Sequence, residues 1–379
     1  MRILEISSAR EFGGGERHLV DLCAGLGARG HEMYLAAPAD SPVLGRLRKA
    51  GRQLDANRVL PIRIRNSTDI FSAQKIARFA AANQIDLIHA HLARDYIPAA
   101  VAARLAPGVK LALTRHVMFP LKKATALALR NTDAVIAVSE PLAAQMRKSF
   151  AAEKICVIRN GIDPKVFSAT ERPAAAAQFR KEYNIPGQAP LIGCVGELKP
   201  LKGQQDFLAA AAIVAQKFSD ATFVIAGRDN SRDAKFQQTL KQEAARLGLA
   251  DKVTWINWLE GVAPLLAALD VFVSPSHSES FGLATLEAMA AECAIVATET
   301  DGARELLATG CARLTLVKDP QALAAAMIEL LENEPLKKEL AANARARAAA
   351  AFSLERMVAE TEDLFQRLLT YSQGRRFRK

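Results

Sequence analysis

Short apolar runs alternate with longer Ala-rich stretches along almost the whole chain, and this rhythm leaves few folds open. In the first half, runs at residues 2–7, 32–37, 87–90, 110–114, 134–138 and 155–159 read as strands, with helical stretches such as 16–28 and 71–82 between them. A second series follows at 191–195, 222–226, 252–256, 271–274 and 294–298, and residues 319–369 read as nearly all helix. Strands that alternate with helices build parallel sheets covered on both faces. At 379 residues the chain exceeds one ordinary domain, so two such lobes are expected. The pattern lapses after Asn160-Gly161-Ile162-Asp163-Pro164, and the proline-rich, polar stretch 169–190 reads as the connection between them with one short helix.

The residues that carry chemistry cluster where these strands end. Val271-Phe272-Val273-Ser274-Pro275 reads as a buried strand stopped by proline, followed by the loop Ser278-Glu279-Ser280-Phe281-Gly282-Leu283 and a helix that contains Glu287. Glu279 is thus expected in the loop and Glu287 about two turns into the helix, eight residues on. Between them the backbone N–H groups of Ser280, Phe281, Gly282 and Leu283 face the mouth of the sheet, where unsatisfied donors and the helix dipole favour an anion. A carboxylate beside an anion site is unfavourable unless it accepts from hydroxyl groups. Phosphate plus polyhydroxyl ligand suggests a sugar nucleotide.

The segment resembles the E-x7-E signature of retaining glycosyltransferases of family 4, which have the GT-B fold. The resemblance implies an α/β protein with two Rossmann-like parallel-sheet lobes facing an interdomain cleft, the C-terminal helix returning to the N-terminal lobe. It implies an acceptor lobe over residues 1–165, with 355–379 packing back on it, and a nucleotide-sugar donor lobe over 166–354. It gives Glu279 the hydroxyls of the transferred sugar and Glu287 the nucleotide ribose. Gly13-Gly14-Gly15-Glu16 is similar to the family's GG-x-E/Q start, which places Gly14 near the donor phosphate or the acceptor; it is not a dinucleotide-binding GxGxxG. Gly196-Glu197-Leu198-Lys199-Pro200-Leu201-Lys202-Gly203 resembles the G-R-L-x-x-x-K-G loop whose Arg and Lys clamp the diphosphate. Here Glu197 stands at the Arg position with its charge reversed, so Lys202 carries the clamp, with Lys199 or Arg228 as substitutes. His116, after an expected strand, matches a histidine that contacts the transferred sugar; the bland reading of a lone histidine is structural. Asn160-Gly161-Ile162-Asp163 resembles the family hinge, and Glu305 reads as structural.

His89 and His91 lie one strand step apart and invite a metal-site reading, yet no carboxylate or third ligand has suitable spacing, so packing is preferred. No metal or cofactor is expected, since the family's chemistry is metal-independent and the nucleotide sugar is a substrate. Five scattered cysteines form no CxxC pair and read as buried free thiols of a reducing cytoplasm. No signal peptide is expected, because residues 1–6 already read as a strand, and no run is long enough to span a bilayer.

Charge divides the chain. Residues 1–165 carry 25 Lys and Arg against 14 Asp and Glu, a net +11, whereas 166–350 carry 19 against 22, a net −3. A basic first lobe favours an anionic partner. Val117-Met118-Phe119-Pro120-Leu121-Lys122-Lys123, with Arg130 and the loop residues Arg58, Arg63 and Arg65, reads as a basic, partly apolar face for an anionic membrane surface. The alternative packs Val117, Met118 and Phe119 in the core. Nucleic acid is not expected, as the lobe has no reading motif and few aromatics for stacking. The function expected is transfer of a hexose-type sugar from a nucleotide-diphosphate sugar to a lipid-linked or lipopolysaccharide-type glycan, at the cytoplasmic membrane face. The rivals are a GT-B nucleotide-sugar epimerase, which needs no acceptor, and a basic non-catalytic lipid- or glycan-binding protein. A glycoside hydrolase using the two carboxylates would not need the Gly-Lys loop.

Overall fold

The computed structural model describes residues 1–51, 54–167 and 171–376. The chain forms two compact units, one of residues 1–161 with 354–379 and one of residues 162–353. The last three residues of the first unit, and residues 169 and 170 of the expected connection, lie outside the described residues; Arg172–Glu182 supplies its helix.

The strands of the first unit are β1 (Arg2–Ile6), β2 (Glu32–Ala37), β3 (Val59–Pro61), β4 (Leu87–Ala90), β5 (Lys110–Arg115), β6 (Ala134–Ala137) and β7 (Ile155–Val157). They make one seven-stranded sheet in the order β3-β2-β1-β4-β5-β6-β7 with every pairing parallel. The second unit holds β8 (Leu191–Val195), β9 (Thr222–Ala226), β10 (Val253–Ile256), β11 (Val271–Ser274), β12 (Ile295–Thr298) and β13 (Arg313–Thr315). These form a six-stranded parallel sheet in the order β10-β9-β8-β11-β12-β13. Both sheets carry the doubly wound Rossmann-like topology.

Central strands such as β4, β6 and β12 are buried along their whole length, which is why they read as mainly apolar runs rather than alternating ones. In the first unit the core beneath the sheet joins Ile3, Leu19, Leu22, Leu26 and Leu35 to Met357, Val358, Leu364 and Phe365 of the last helix, Leu354–Arg376. Gly25 permits that approach: a Cβ there would lie 2.4 Å from a Val358 methyl carbon. The C-terminal helix therefore packs on the N-terminal sheet unit, as the family resemblance implies. In the second unit Phe207, Phe223, Val271 and Val273 centre the core. No helix among the described residues is long and apolar enough to cross a membrane.

Each sheet order reverses once, between β1 and β4 in the first unit and between β8 and β11 in the second. At such a switch point the loops leaving neighbouring strands diverge to opposite faces and open a crevice at the strands' carboxyl ends, where ligands bind in this architecture.

Candidate active site

In the second unit the two loops at the switch point are tied to each other. After β8 the chain runs through Gly196 and the short turn Pro200–Lys202 to Gly203, which starts the helix Gln204–Lys217. After β11 it runs from Pro275 to Gly282, which starts the helix Leu283–Ala290. The His277 N–H donates to the Leu201 carbonyl at 2.9 Å. Gly203 sits at φ +67°, and a Cβ there would lie 1.9 Å from the Pro275 carbonyl oxygen. Both the left-handed backbone and the space therefore require glycine. Gly203→Ala should destabilise the chain by roughly 3 kcal/mol or more, as backbone strain and overpacking add. A denaturant midpoint equal to wild type would show that the loops are not packed this way.

This stitching brings Lys202 and Glu279, 77 residues apart in sequence, into a direct ion pair. Both side chains are mostly shielded, with 24% and 18% of their surfaces exposed. The cation expected to hold an anion and the carboxylate expected to meet hydroxyl groups thus occupy one spot at the sheet's carboxyl edge. Gly282, at φ +100°, caps the helix that follows, and Leu286 is bonded back to the Gly282 carbonyl. The first-turn N–H groups, beginning at Leu283, have no acceptor within the helix. Phe281 is buried, whereas Ser280 and Leu283 are half-buried. The Gly302 N–H donates to the Glu279 carbonyl at 2.9 Å and holds the loop from behind. Glu287 is the fifth residue of its helix, a little over one turn in rather than two, because the helix begins only at Leu283.

The reversed charge at Glu197 is answered within its own loop. Its carboxylate pairs with Lys199 and accepts from the Asn230 side-chain amide at 3.3 Å. Lys199 is thereby engaged. Arg228, after β9, lies 5.2 Å from the centre of the Trp258 ring, and its carbonyl accepts from the Leu198 N–H. The Lys202 ammonium is the cation of this loop set that is aimed at Glu279.

The switch point of the first unit holds a different chemistry. Gly14 opens the helix Gly14–Ala28, and the Glu16 carboxylate accepts from the Gly13 N–H at 2.9 Å, so Glu16 acts as a cap. Gly15 faces the His116 ring, which follows β5; a Cβ on Gly15 would be 3.5 Å from it. His116 is not alone. Four of the chain's six histidines, His18, His89, His91 and His116, gather around Glu5 of β1. Glu5 is fully buried and meets His91 Nε2 at 2.7 Å and His89 Nδ1 at 3.0 Å. Burial alone would raise its carboxyl, but the charges and hydrogen bonds of His89 and His91 outweigh burial and hold it at about 2. Burial lowers His91 to about 4 and His18 to about 3, and pushes His116 well below the usual range. At neutral pH these three rings are neutral beside a carboxylate.

This corrects the sequence reading that His89 and His91 have no carboxylate partner. Glu5 comes from a strand 84 residues earlier, where one acidic residue inside Ile3-Leu4-Glu5-Ile6 was the only sign of it. Asp95 is a second residue that spacing did not single out. It is completely buried, accepts from the Ser8 N–H at 2.9 Å, and burial raises its carboxyl to about 6.

Comparison with known proteins agrees with this architecture. The family model described as Glycosyltransferase Family 4 matches residues 12–166, and that described as Glycosyl transferases group 1 matches residues 176–347. The chain is 29% identical over 242 residues to the lipopolysaccharide core biosynthesis mannosyltransferase LpcC of Rhizobium leguminosarum bv. viciae, covering 64% of this chain and 66% of LpcC. It is 28% identical over 316 residues to N-acetyl-alpha-D-glucosaminyl L-malate synthase of Bacillus anthracis, covering 79% of this chain and 80% of that protein. The match to LpcC thus spans about two thirds of either protein. Among solved structures, Anabaena HepE in complex with UDP and glucose superposes with a TM-score of 0.84 at 22% identity, over 97% of this chain and 99% of HepE. With one model matched to each half and a Rossmann-like sheet in each unit, as in the GT-B fold, the chain belongs to family 4 of the glycosyltransferases.

Proposed function

We propose that the protein transfers a hexose from a nucleotide-diphosphate sugar to a hydroxyl of a lipid-linked or lipopolysaccharide-type glycan, with retention of anomeric configuration. The observation that carries this reading is the Lys202–Glu279 pair at the switch point of the second unit. A lysine and a carboxylate that neutralise each other at a strand-end crevice are suited to exchange partners. The diphosphate takes Lys202 together with the N–H groups of Ser280, Phe281, Gly282 and Leu283, and the sugar hydroxyls take Glu279. Arg228 lends further positive charge, Glu287 holds the ribose, and Gly14 and His116 keep the roles that the family resemblance gives them.

Catalysis in this reading is electrostatic. Lys202 and the helix N-terminus stabilise the charge that develops on the leaving phosphate, so no metal is required for the step. Glu279 supports the sugar as it acquires oxocarbenium character. LpcC, by its name a lipopolysaccharide core mannosyltransferase, supports a hexose donor and a lipopolysaccharide-type acceptor. A thermal-shift panel of nucleotide sugars identifies the donor, since a ligand at a hundredfold excess over its Kd stabilises by about 2.7 kcal/mol. A flat response to every nucleotide sugar would count against this site.

The acceptor reading rests on the first unit's surface. Val117 is 43% exposed, Phe119 64% and Leu127 65%, so Val117 and Phe119 do not pack in the core. Exposed Lys122, Lys123 and Arg130 lie among them, and the Arg104 guanidinium reaches the Ala128 carbonyl at 2.7 Å. Exposed apolar side chains near exposed cations in the sequence suit the anionic inner face of the plasma membrane, where each basic residue contributes on the order of 1 kcal/mol. The chain is then a cytoplasmic protein bound peripherally. It should sediment with anionic but not neutral liposomes, release as salt rises, and bind more weakly as Lys122→Glu/Lys123→Glu. Failure to sediment with acidic vesicles at low salt would point to a soluble acceptor.

A further inference from the structure

The first unit contains a second constellation, of which the proposed sugar transfer uses only His116. His18, His91 and His116 come from the helix Gly14–Ala28, the end of β4 and the end of β5, and their ligating atoms all lie within 4.8 Å of one another. Two of the rings have their acceptor nitrogen fixed by what their other nitrogen meets. His91 Nε2 is 2.7 Å from the Glu5 carboxylate, which only accepts, so that nitrogen carries the hydrogen and Nδ1 is left as an acceptor. His18 Nδ1 is 2.8 Å from the Asn160 side-chain oxygen, so Nδ1 donates there and Nε2 is the acceptor. That His18 Nε2 is buried and meets no hydrogen-bond partner among the described residues, in a residue only 3% exposed. A buried acceptor left unsatisfied costs about 1–3 kcal/mol, so the position calls for a donor or a cation.

We propose that His18, His91 and His116 form a three-histidine site for one divalent transition-metal ion, with Glu5 and Asn160 orienting two of the rings. His91 Nδ1 accepts from His116 Nε2 across 3.4 Å, a contact the ion replaces once His116 carries its hydrogen on Nδ1 instead. Tetrahedral zinc with bonds of about 2.0–2.1 Å needs ligand atoms about 3.3 Å apart, so the 4.8 Å limit on the third atom leaves His18 to close by a ring rotation. A carboxylate behind one ligand and an amide oxygen behind another are the outer partners that fix tautomer and raise ligand basicity. Neutral imidazoles select zinc, cobalt, nickel or copper over magnesium and calcium. Arg115, which precedes His116, turns its guanidinium to the Phe119 carbonyl. His89 takes no part: Glu5 and the Thr114 hydroxyl, at 2.7 Å, occupy both its nitrogens.

The ion is a ligand here and not a participant in transfer. It occupies His116 Nε2, so Zn²⁺ should inhibit transfer; this consequence alone rests on the sugar-contact role given to His116. Binding itself is tested without activity. After chelator treatment, the full chain should take up one Zn²⁺ by calorimetry, and Co²⁺ should give the intense visible bands of tetrahedral nitrogen coordination. His18→Gln should weaken binding at least 100-fold and Asn160→Ala about 10–100-fold, as loss of an orienting partner does. His31→Gln, whose ring pairs with Glu362, should leave binding unchanged. For a readout free of mutation, long-range ¹H–¹⁵N spectra of histidine-labelled wild-type protein should show Zn²⁺ shifting the ring nitrogens of His18, His91 and His116. The proposal is overturned if these resonances do not move, if cobalt stays octahedral, or if His18→Gln binds as wild type does. Zn²⁺ uptake with intact transfer would instead remove the role of His116 and leave the metal site standing.

Discussion

Glu279→Gln should lower turnover by about 10²–10³-fold, the effect of removing one preorganised electrostatic partner from a reacting centre. Binding of the nucleoside diphosphate should hold or tighten slightly. The reason lies in the ion pair: Lys202 is held by Glu279, and a diphosphate has to break that contact before it can use the ammonium. An uncharged glutamine keeps the shape of the side chain but releases Lys202 from a competing charge. Turnover and affinity therefore move in different directions, a result that unfolding or general loosening of the loop cannot mimic. Single-turnover rates and calorimetry on the same preparation measure both. If affinity fell in step with turnover, Glu279 would be a structural anchor of the loop.

Lys202→Ala should weaken UDP or GDP binding by about 1.5–3 kcal/mol, roughly 10- to 150-fold, while affinity for the free nucleoside changes little. A charge-assisted contact to phosphate is lost only when phosphate is there to make it. Glu287→Ala should have the complementary effect, weakening nucleoside and nucleoside diphosphate alike, because the ribose is common to both. The diphosphate-to-nucleoside affinity ratio separates the two roles. An unchanged ratio in Lys202→Ala would move the clamp to Arg228, since Lys199 is engaged by Glu197. The Lys202 variant also leaves Glu279 without its partner, so its loss of turnover should exceed its loss of affinity.

Most of both sheets is legible in the sequence because parallel strands covered on both faces are mostly apolar, and β2, β4, β8, β9 and β11 fall at the residues expected. The strands that were not legible are β3 and β13, three residues each at the sheet edges. An edge strand is paired on one side only and tolerates Pro61 in β3 and Arg313 in β13, which in a central strand would break the ladder or bury a charge. The candidate site divides along the same line. Motifs local in sequence, such as Lys202 before Gly203 or Glu279 before its helix, are visible because strand-end loops are short. What no local pattern reveals is which loops meet, since the sheet order reverses between β8 and β11. Hence the Lys202–Glu279 pair emerges only in three dimensions. Glu5 was hidden more deeply, as a carboxylate in an apolar strand gives no hint of histidines contributed by β4.

The most direct measurement follows one transfer event from both ends. The protein is incubated with the nucleotide hexose selected by thermal shift and with a truncated lipopolysaccharide core as acceptor. One hexose should be added per acceptor, with one nucleoside diphosphate released, and NMR of the product should show the donor's anomeric configuration kept. Donor that is epimerised without acceptor, product of inverted configuration, or no diphosphate released with any acceptor would contradict a retaining glycosyltransferase built on Lys202 and Glu279.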